Sequence, residues 1–264
     1  IAAIQVGLGY SPAMWNSQAA MMYFSGKYQS LSTFKSNNSG EDVLTELSDQ
    51  YEQHQESSAM ISIVPPVPDL DNERYMDNRT FALSVNNLVK IDSIGESTLN
   101  ANVTYYNDYQ KYSHATEIIE YLPGSSVWSL KERNSAHDRK ERIEINANYT
   151  HNGDKAFFKE RVILGVGREK GAGVVSDTMG HNLKVRPDYR LKNIMNIVRT
   201  VNSGWNLSFQ SETQISGYDL AYEVHPPMFN LAFIHGEQAS QQFNTVSLNT
   251  KNHLSVSRFL NRDI

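Results

Sequence analysis

The chain has 264 residues, of which 39% are hydrophobic and 20% are charged, and its formal net charge is −5. This mild negative charge argues against a nucleic-acid-binding protein, and the lack of cysteine excludes a disulfide framework and thiolate chemistry. No stretch approaches the roughly 18 consecutive apolar residues of a membrane helix.

Alternation of apolar and polar residues is the main structural signal. From Leu99 to Tyr105 every second residue is apolar and the residues between are polar. Side chains alternate between the two faces of a strand, so each such segment has one apolar face and one wet face. In chain order the predicted strands are Ile1–Leu8, Gln18–Lys35, Arg79–Asp92, Ser97–Lys111, Arg139–His151, Lys155–Arg168, Tyr189–Val201, Trp205–Ile215 and Phe243–Phe259.

The predicted connections alternate in length. The short ones are Gly9–Ser17, Ser93–Glu96, Asn152–Asp154 and Asn202–Gly204, and the long ones are Ser36–Asn78, Tyr112–Asp138, Glu169–Asp188 and Ser216–Gln242. Short turns at one end and long loops at the other are typical of an outer-membrane β-barrel. A soluble β-sandwich has less reason to sort loops this way, but lectin-like folds sometimes do, so both interpretations stay open at this point.

The longest loop, residues 36–78, contains one predicted helix. Ser39 is a suitable N-cap, and Val43, Leu44, Leu47 and Tyr51 follow at helical spacing. This helix either packs on the rim of its own barrel or forms a lid over a substrate mouth.

Six segments share the sequence features of one protein family: Gly7-x-Gly9 with Pro12 and Trp15, Met22–Gln29, Ser32–Val43, Asn78–Thr80, Ser84–Lys90 and Tyr106–Asp108. These segments resemble TonB-dependent outer-membrane receptors of the kind found in Bacteroidetes. The resemblance is clear over about residues 1–165 and weaker after that, where Leu183–Pro187 is the best match.

The resemblance implies an antiparallel transmembrane β-barrel with long extracellular loops and short periplasmic turns. In this family a plug domain fills a barrel of about 22 strands, and a TonB box couples transport to inner-membrane energy. We therefore expect residues 1–264 to be a partial barrel domain, about nine strands of a larger wall, without the plug. If the long loops are extracellular, Ile1–Leu8 runs toward the periplasm.

The expected partners follow from the same resemblance. They are outer-membrane lipid, TonB through the missing plug region, a surface lipoprotein, and a small nutrient, peptide or glycan ligand, with no nucleic acid. The expected activity is nutrient uptake without covalent chemistry. The alternative is a soluble or surface β-sandwich that binds glycan or protein. A surface-exposed hydrolase is a third hypothesis, but the sequence contains no motif that indicates one.

No catalytic, cofactor-binding or metal-binding residues are predicted. The eight histidines are scattered, and no two lie at metal-ligand spacing with a carboxylate between them. Gly165-x-Gly167 and Gly171-x-Gly173 do not complete a dinucleotide fingerprint, and we expect them to be strand-end and loop glycines.

The most useful functional set is the expected lumen-facing side chains. A charge on the lipid face costs roughly 2–4 kcal/mol at the bilayer midplane, so charged and amide residues should alternate inward. These residues either form a generic wet wall against the plug or line a substrate path. The candidates are Asn86, Lys90, Asn100, Asn102, Tyr106, Asp108, Arg142, Glu144, Lys159 and Arg161.

Overall fold

The chain folds into one antiparallel β-sheet. The computed structural model describes residues 1–10, 12–41, 43, 63, 69–92, 96–121, 127–175, 179–201, 204–225 and 239–258. In this part of the chain the strands are β1 Ala2–Gly9, β2 Met14–Phe24, β3 Tyr28–Asn37, β4 Asp77–Lys90, β5 Ser97–Tyr121, β6 Val127–Gly153, β7 Ala156–Val175, β8 Met179–Val201, β9 Trp205–His225 and β10 Ala239–Arg258, with a short helix α1 at Asn72–Tyr75. Among the described residues, no helix has the length and apolarity needed to cross a membrane.

Each strand pairs with the next one in sequence, so the sheet is a meander with β1 and β10 at its edges. Successive connections therefore lie at opposite ends. One end, the short-turn end, holds residues 25–27, 91–96, 154–155 and 202–204. The other, the long-loop end, holds residues 10–13, 38–76, 122–126, 176–178 and 226–238. The all-β antiparallel architecture predicted from the sequence is confirmed.

The described part of the chain holds ten strands where about nine were predicted, and the prediction of Gln18–Lys35 as one strand is wrong. This segment is a hairpin in which the Ser25 hydroxyl donates to the Tyr28 carbonyl at 3.0 Å and accepts from the Tyr28 amide at 3.1 Å. The Ser-Gly pair at this turn is a recognised turn signal, but the apolar residues on both sides concealed it. The extra strand reverses β1, which runs toward the long-loop end and in the same direction as β3.

Three of the four predicted long loops are mostly strand. Tyr112–Tyr121 pairs with Val127–Ala136, and the β7–β8 and β8–β9 ladders likewise continue to Val175 and His225. These extensions carry polar residues on both faces, so the period-2 pattern disappears although the backbone pairing continues. The connections that remain long are β3–β4, residues 38–76, and β9–β10, residues 226–238.

The two faces of the sheet are chemically opposite, and the apolar one is exposed. Residues directly opposite in an antiparallel pair share a face, and the ladders join Val103, Ile145, Leu164 and Leu191 in one row. All four are 37–44% exposed. We call this side the apolar face. Glu160 interrupts it and accepts a hydrogen bond from the Asn193 amide at 3.0 Å.

The other side, the polar face, is where burial occurs. Asn78, Ser84, Asn102, Thr104 and Glu144 lie on it and are each no more than 6% exposed. Hydrophobic side chains outside and hydrogen-bonded polar side chains inside are the reverse of a water-soluble sheet with one packed face. This distribution is the one expected of a barrel wall with lipid outside and water inside.

The long β3–β4 connection touches the polar face at two described points. Val43 is buried against Ala82 and Tyr106, and Ile63 is buried against Leu183 and Leu220. The connection therefore reaches from β4 and β5 across to β8 and β9. The predicted helix lies outside the described residues except for Val43, which is helical.

A row of glycines on β7 makes this approach possible. Gly165, Gly167, Gly171 and Gly173 lie on the polar face within the strand, so they are neither strand-end nor loop glycines as predicted from the sequence. A Cβ atom on Gly171 would lie 2.1 Å from the Cδ1 atom of Ile63. Because these four residues have no side chain, they leave a groove along β7, which we call the glycine furrow. Side chains from neighbouring elements lie in it.

We expect the substitution Gly171→Ala to release the Ile63 contact, because the added methyl group occupies the space of the Ile63 side chain. Hydrogen–deuterium exchange of the peptide containing Ile63 should become faster, with a loss of about 1–3 kcal/mol of local stability. Gly7→Ala is the matched control, since its nearest neighbouring atoms lie at ordinary contact distances of 3.6 and 3.8 Å. Unchanged exchange in the Gly171→Ala protein would contradict the packing described here.

Candidate functional site

The candidate site is a group of charged side chains in four adjacent cross-strand rows on the polar face. Five carboxylates and three cations lie there, close to the β7 glycine furrow. We call this set the charged cluster; its members are Asp108, Asp138, Lys140, Arg142, Glu144, Glu169, Asp188 and Arg190.

The centre of the cluster is a pair of arginines on either side of the furrow. Arg142 Nη1 donates to Asp188 Oδ2 at 2.7 Å, and Arg190 Nη2 donates to Glu144 Oε2 at 3.2 Å. Arg142 Nε also lies 4.0 Å from Glu144 Oε2. The side chains are 8–21% exposed, so the charges are largely withdrawn from bulk water and depend on each other for compensation.

The glycine furrow provides the space for this centre. A Cβ atom on Gly165 would lie 2.8 Å from Arg142 Nη2, and one on Gly167 would lie 2.3 Å from Asp188 Oδ1. The side chains of Arg142 and Asp188 therefore lie over β7 itself and meet there, although their strands are not neighbours. Any larger residue at Gly167 would separate the pair.

The outer part of the cluster is built around Lys140. Its ammonium group lies 3.3 Å from Asp138 Oδ2 and 3.9 Å from Glu169 Oε1. These groups lie beyond Val166, the last side chain of the continuous apolar band on β7. Burial raises the pKa of Glu169 to about 7, and the Lys140 charge opposes that rise.

A continuous hydrogen-bond chain links the cluster to the loop after β3. The Asn78 amide donates to Asn37 and to the Thr80 hydroxyl, both at 2.8 Å, and Thr80 donates to Asp108 at 2.7 Å. The Gly40 amide donates to Asn78 Oδ1 at 2.9 Å. These buried groups are satisfied as a network, which makes the arrangement rigid.

All ten residues predicted as lumen-facing lie on the polar face. Tyr106, Asp108, Arg142 and Glu144 are in or beside the charged cluster, and Asn86 and Asn102 continue in one row to Asn146. The other four, Lys90, Asn100, Lys159 and Arg161, lie closer to the short-turn end. Arg161 Nε donates to Asn146 Oδ1 at 3.2 Å. Their role in binding or transport stays a prediction.

The sequence analysis missed Asp138, Lys140, Glu169, Asp188 and Arg190. Asp138, Glu169 and Asp188 fell in segments taken for loops, which the ladders show to be paired strand or its bulge. Lys140 could have been found, because Lys140, Arg142 and Glu144 alternate along one strand and so share a face. Arg190 alternates with Lys192 in the same way.

A cavity of ≈ 620 Å³ lies at the long-loop end of the sheet. Three tyrosines and three histidines contribute to its lining, namely Tyr75, Tyr109, Tyr112, His137, His181 and His225. His181 lies over Gly173 and is 3.5 Å from the Tyr222 hydroxyl through Nδ1. Burial lowers the pKa of His181. Within the described ranges no group of three or more His, Cys, Asp or Glu side chains is arranged to hold a metal ion.

The fold is similar to that of the ferric yersiniabactin uptake receptor FyuA from Yersinia pestis, with a TM-score of 0.54 and 10% sequence identity. The match covers 95% of this chain and 35% of that receptor, so the chain spans about a third of the length of FyuA. No family model and no curated protein matches the sequence.

Two structures of the ferric-catecholate import receptor Fiu from E. coli K12 are more distant. The closed form covers 92% of this chain and 40% of the receptor, and the open form covers 92% and 43%. Both have a TM-score of 0.43 and 9% identity, which adds nothing to the fold assignment. The match to FyuA shows the fold alone: the sheet is built like part of the wall of a receptor β-barrel.

We expect Arg142→Gln to lower the free energy of unfolding by about 1–3 kcal/mol, because it leaves the Asp188 carboxylate without its closest cation. The double variant Arg142→Gln/Asp188→Asn should lose less than the sum of the two single changes. Urea unfolding of the protein refolded into lipid vesicles measures all three. Additive losses would show that the two side chains do not interact.

Stability should also depend on pH through Glu169. Its folded-state pKa of about 7 exceeds the ordinary 4.5, so between these values the folded state binds the proton more strongly. The free energy of unfolding should therefore fall as pH rises from about 4.5 to 7, by about 1–3 kcal/mol. Glu169→Gln should remove this slope in urea unfolding, whereas Asp154→Asn in the exposed β6–β7 turn should keep it. A slope retained in Glu169→Gln would assign the effect to another group.

Proposed function

We propose that residues 1–264 form part of the wall of an outer-membrane β-barrel receptor that imports a small nutrient. The complete protein would be TonB-dependent and of the Bacteroidetes type, with a plug outside this chain and a surface lipoprotein as partner. Ligand would bind at the loops of the long-loop end, and transport would make and break no covalent bond.

The observation that carries the proposal is the distribution of side chains across the sheet. The apolar row from Val103 to Leu191 is exposed, and the row beside it, with Ser84, Thr104 and Glu144, is buried. A bilayer supplies the apolar surroundings that the exposed row needs. A sheet that lay in water on this side would expose a contiguous apolar patch far larger than that of ordinary soluble monomers.

The polar face carries groups that can bind a polar solute as it passes through the barrel. The charged cluster offers both anionic and cationic groups, and the row of Asn86, Asn102 and Asn146 offers amides next to it. The contacts of Val43 and Ile63 place the β3–β4 connection over this face. A connection that folds over the polar face can narrow a lumen and contact whatever passes through it.

The alternative is a β-sandwich that binds glycan or protein, in which a second sheet would cover the apolar face. The cavity with its tyrosine and histidine side chains suits a glycan or aromatic ligand in either case. Only the surroundings of the apolar face distinguish the two proposals.

Two arginine substitutions on β7 distinguish the barrel proposal from the sandwich proposal. Leu164 and Val174 both lie on the apolar side and are 43% and 37% exposed, but Val174 is ten residues nearer the long-loop end, beyond the band of apolar rows. In a bilayer, Leu164→Arg should cost roughly 2–4 kcal/mol and Val174→Arg about 0–1 kcal/mol. Unfolding of the complete protein in lipid vesicles, together with its yield in outer-membrane fractions, measures the difference.

Equal, small effects of the two substitutions would contradict the barrel proposal, because they would mean that water covers both positions. Equal, large effects would favour the sandwich, in which a second sheet covers the whole side. Extraction of the complete protein without detergent would also overturn the proposed membrane location.

A further inference from the structure

Four cations lie in a single cross-strand row on the apolar side of the sheet, just past the band of apolar residues. The ladders join Arg79 to Tyr109, Tyr109 to Arg139, Arg139 to Lys170 and Lys170 to Lys184. The row therefore spans five adjacent strands, β4 to β8, and holds no carboxylate. We call it the basic row: Arg79, Arg139, Lys170 and Lys184, all of which are exposed.

Within the described part of the protein the basic row is only weakly compensated: Glu141 in the adjacent row attracts Arg139 without forming a salt bridge with it. None of its four cations forms a salt bridge there. The nearest carboxylate on the adjacent row, Glu141, is occupied by Arg168 and by the Tyr105 hydroxyl at 2.7 Å. On the row beyond, Asp77 lies opposite Lys111 and Glu223 lies opposite Asn182.

Like charges directly opposite each other destabilise a sheet, and here Arg139, Lys170 and Lys184 are opposite in succession. Neighbouring strands are about 4.8 Å apart, so the three charges are close together. A row of this kind is unfavourable in water alone and becomes favourable where anions collect along it.

The position of the row indicates which anions these are. Ile143 and Val166 end the continuous band of apolar side chains on β6 and β7, and Arg139 and Lys170 lie four residues beyond them, past the row that holds Glu141 and Arg168. Four residues of strand cover about 13 Å, or roughly 10 Å along the membrane normal at a strand tilt of 35–45°. The headgroup layer is about 5–8 Å thick on each side of the hydrocarbon, so the backbone of the basic row lies just outside it and the long side chains of Arg139 and Lys170 reach back to the phosphate groups.

We propose that the basic row binds the phosphate groups of lipid headgroups at the long-loop rim of the barrel. The inference rests on the proposed function, because it requires lipid around the apolar face. Arg139 is held in position by a hydrogen bond from its Nε to Asn107 Oδ1 at 3.2 Å, and its guanidinium is suited to a bidentate phosphate contact. Lys170 and Lys184 add point charges beside it.

Lipid-linked phosphate and free phosphate have the same chemistry, but the surroundings of the basic row favour lipid-linked phosphate. A free anion would be held by exposed cations alone and would exchange with bulk salt. A lipid is held additionally by its acyl chains against Ile143, Val166 and Tyr189, which lie two cross-strand rows below the basic row and are 38–56% exposed.

The test uses the complete receptor in a neutral detergent, with native mass spectrometry to count bound lipid. The probes are bisphosphorylated lipid A, dephosphorylated lipid A with the same acyl chains, and inorganic phosphate as competitor. The variant is Arg139→Gln/Lys170→Gln/Lys184→Gln. The control, Lys90→Gln/Lys159→Gln/Lys251→Gln, removes three exposed cations from the polar face.

We expect bisphosphorylated lipid A to bind the wild type and the control equally, and to bind the basic-row variant about 100-fold more weakly, at roughly a fewfold loss per cation. Dephosphorylated lipid A should bind all three proteins weakly. Inorganic phosphate at the lipid concentration should not compete. Because the substitutions remove repulsion, the variant should unfold at the same temperature as the wild type or higher in neutral detergent.

Equal binding of bisphosphorylated lipid A to the basic-row variant would overturn the inference. So would equal binding of dephosphorylated lipid, or competition by inorganic phosphate at equal concentration, which would make the row a free-anion site. A lower unfolding temperature of the variant would show that the cations have protein partners and would also overturn it. If the complete protein needs no detergent, the proposed function fails as well; if it does and the variant still binds, only this inference fails.

Discussion

The register of the antiparallel ladders is the constraint on which the rest of the structure depends. Because side chains alternate with a period of two, a slip of one residue would turn every side chain to the opposite face. The ladders from β4 to β8 keep Leu83, Tyr105, Ile143, Val166 and Tyr189 in one row without a slip. A single irregularity in the β7–β8 pairing, between Gly167 and Glu169, follows that row at the level of the charged cluster.

This register explains why so many polar groups can be buried. The polar face brings Asn78, Thr80 and Asp108 into one hydrogen-bonded chain and Arg142 and Asp188 into an ion pair across the glycine furrow. The contacts of Thr80 with Asp108 and of Arg142 with Asp188 each require side chains from different strands at the same height. The structure therefore buries its polar network and presents its apolar side chains to the surroundings, which is a stable arrangement only where the surroundings are apolar.

The sequence predicted the central part of the strands because alternation is strongest there. Leu99 to Tyr105 and Arg142 to Tyr149 alternate strictly and lie in β5 and β6 as expected. The extensions such as Tyr112–Tyr121 could not be predicted, because polar residues on both faces remove the period-2 signal while the backbone still pairs. The Ser25–Lys27 turn was concealed because the apolar residues Met22 and Phe24 before it and Tyr28 after it look continuous with strand.

The candidate site was only partly accessible from the sequence for a related reason. Arg142 and Glu144 were found through alternation on one strand, but Asp188 meets Arg142 across an intervening strand, and no local pattern reports such a contact. The same is true of Gly171, whose meaning depends on Ile63, more than one hundred residues away. The β7 glycines, which the sequence analysis interpreted as strand-end and loop residues, are the positions at which side chains from distant segments lie on the sheet.

The central claim is that lipid covers the apolar face and water the polar face, and two adjacent positions test it most directly. Ile145 and Asn146 are neighbours on β6 that lie on opposite faces, and the chain has no cysteine of its own to interfere. A fluorophore attached to Ile145→Cys or to Asn146→Cys in the complete protein, reconstituted in vesicles, can be quenched by brominated acyl chains or by aqueous iodide. The account predicts quenching of the Ile145→Cys label by brominated lipid and of the Asn146→Cys label by iodide. Quenching of both labels by iodide alone would contradict it.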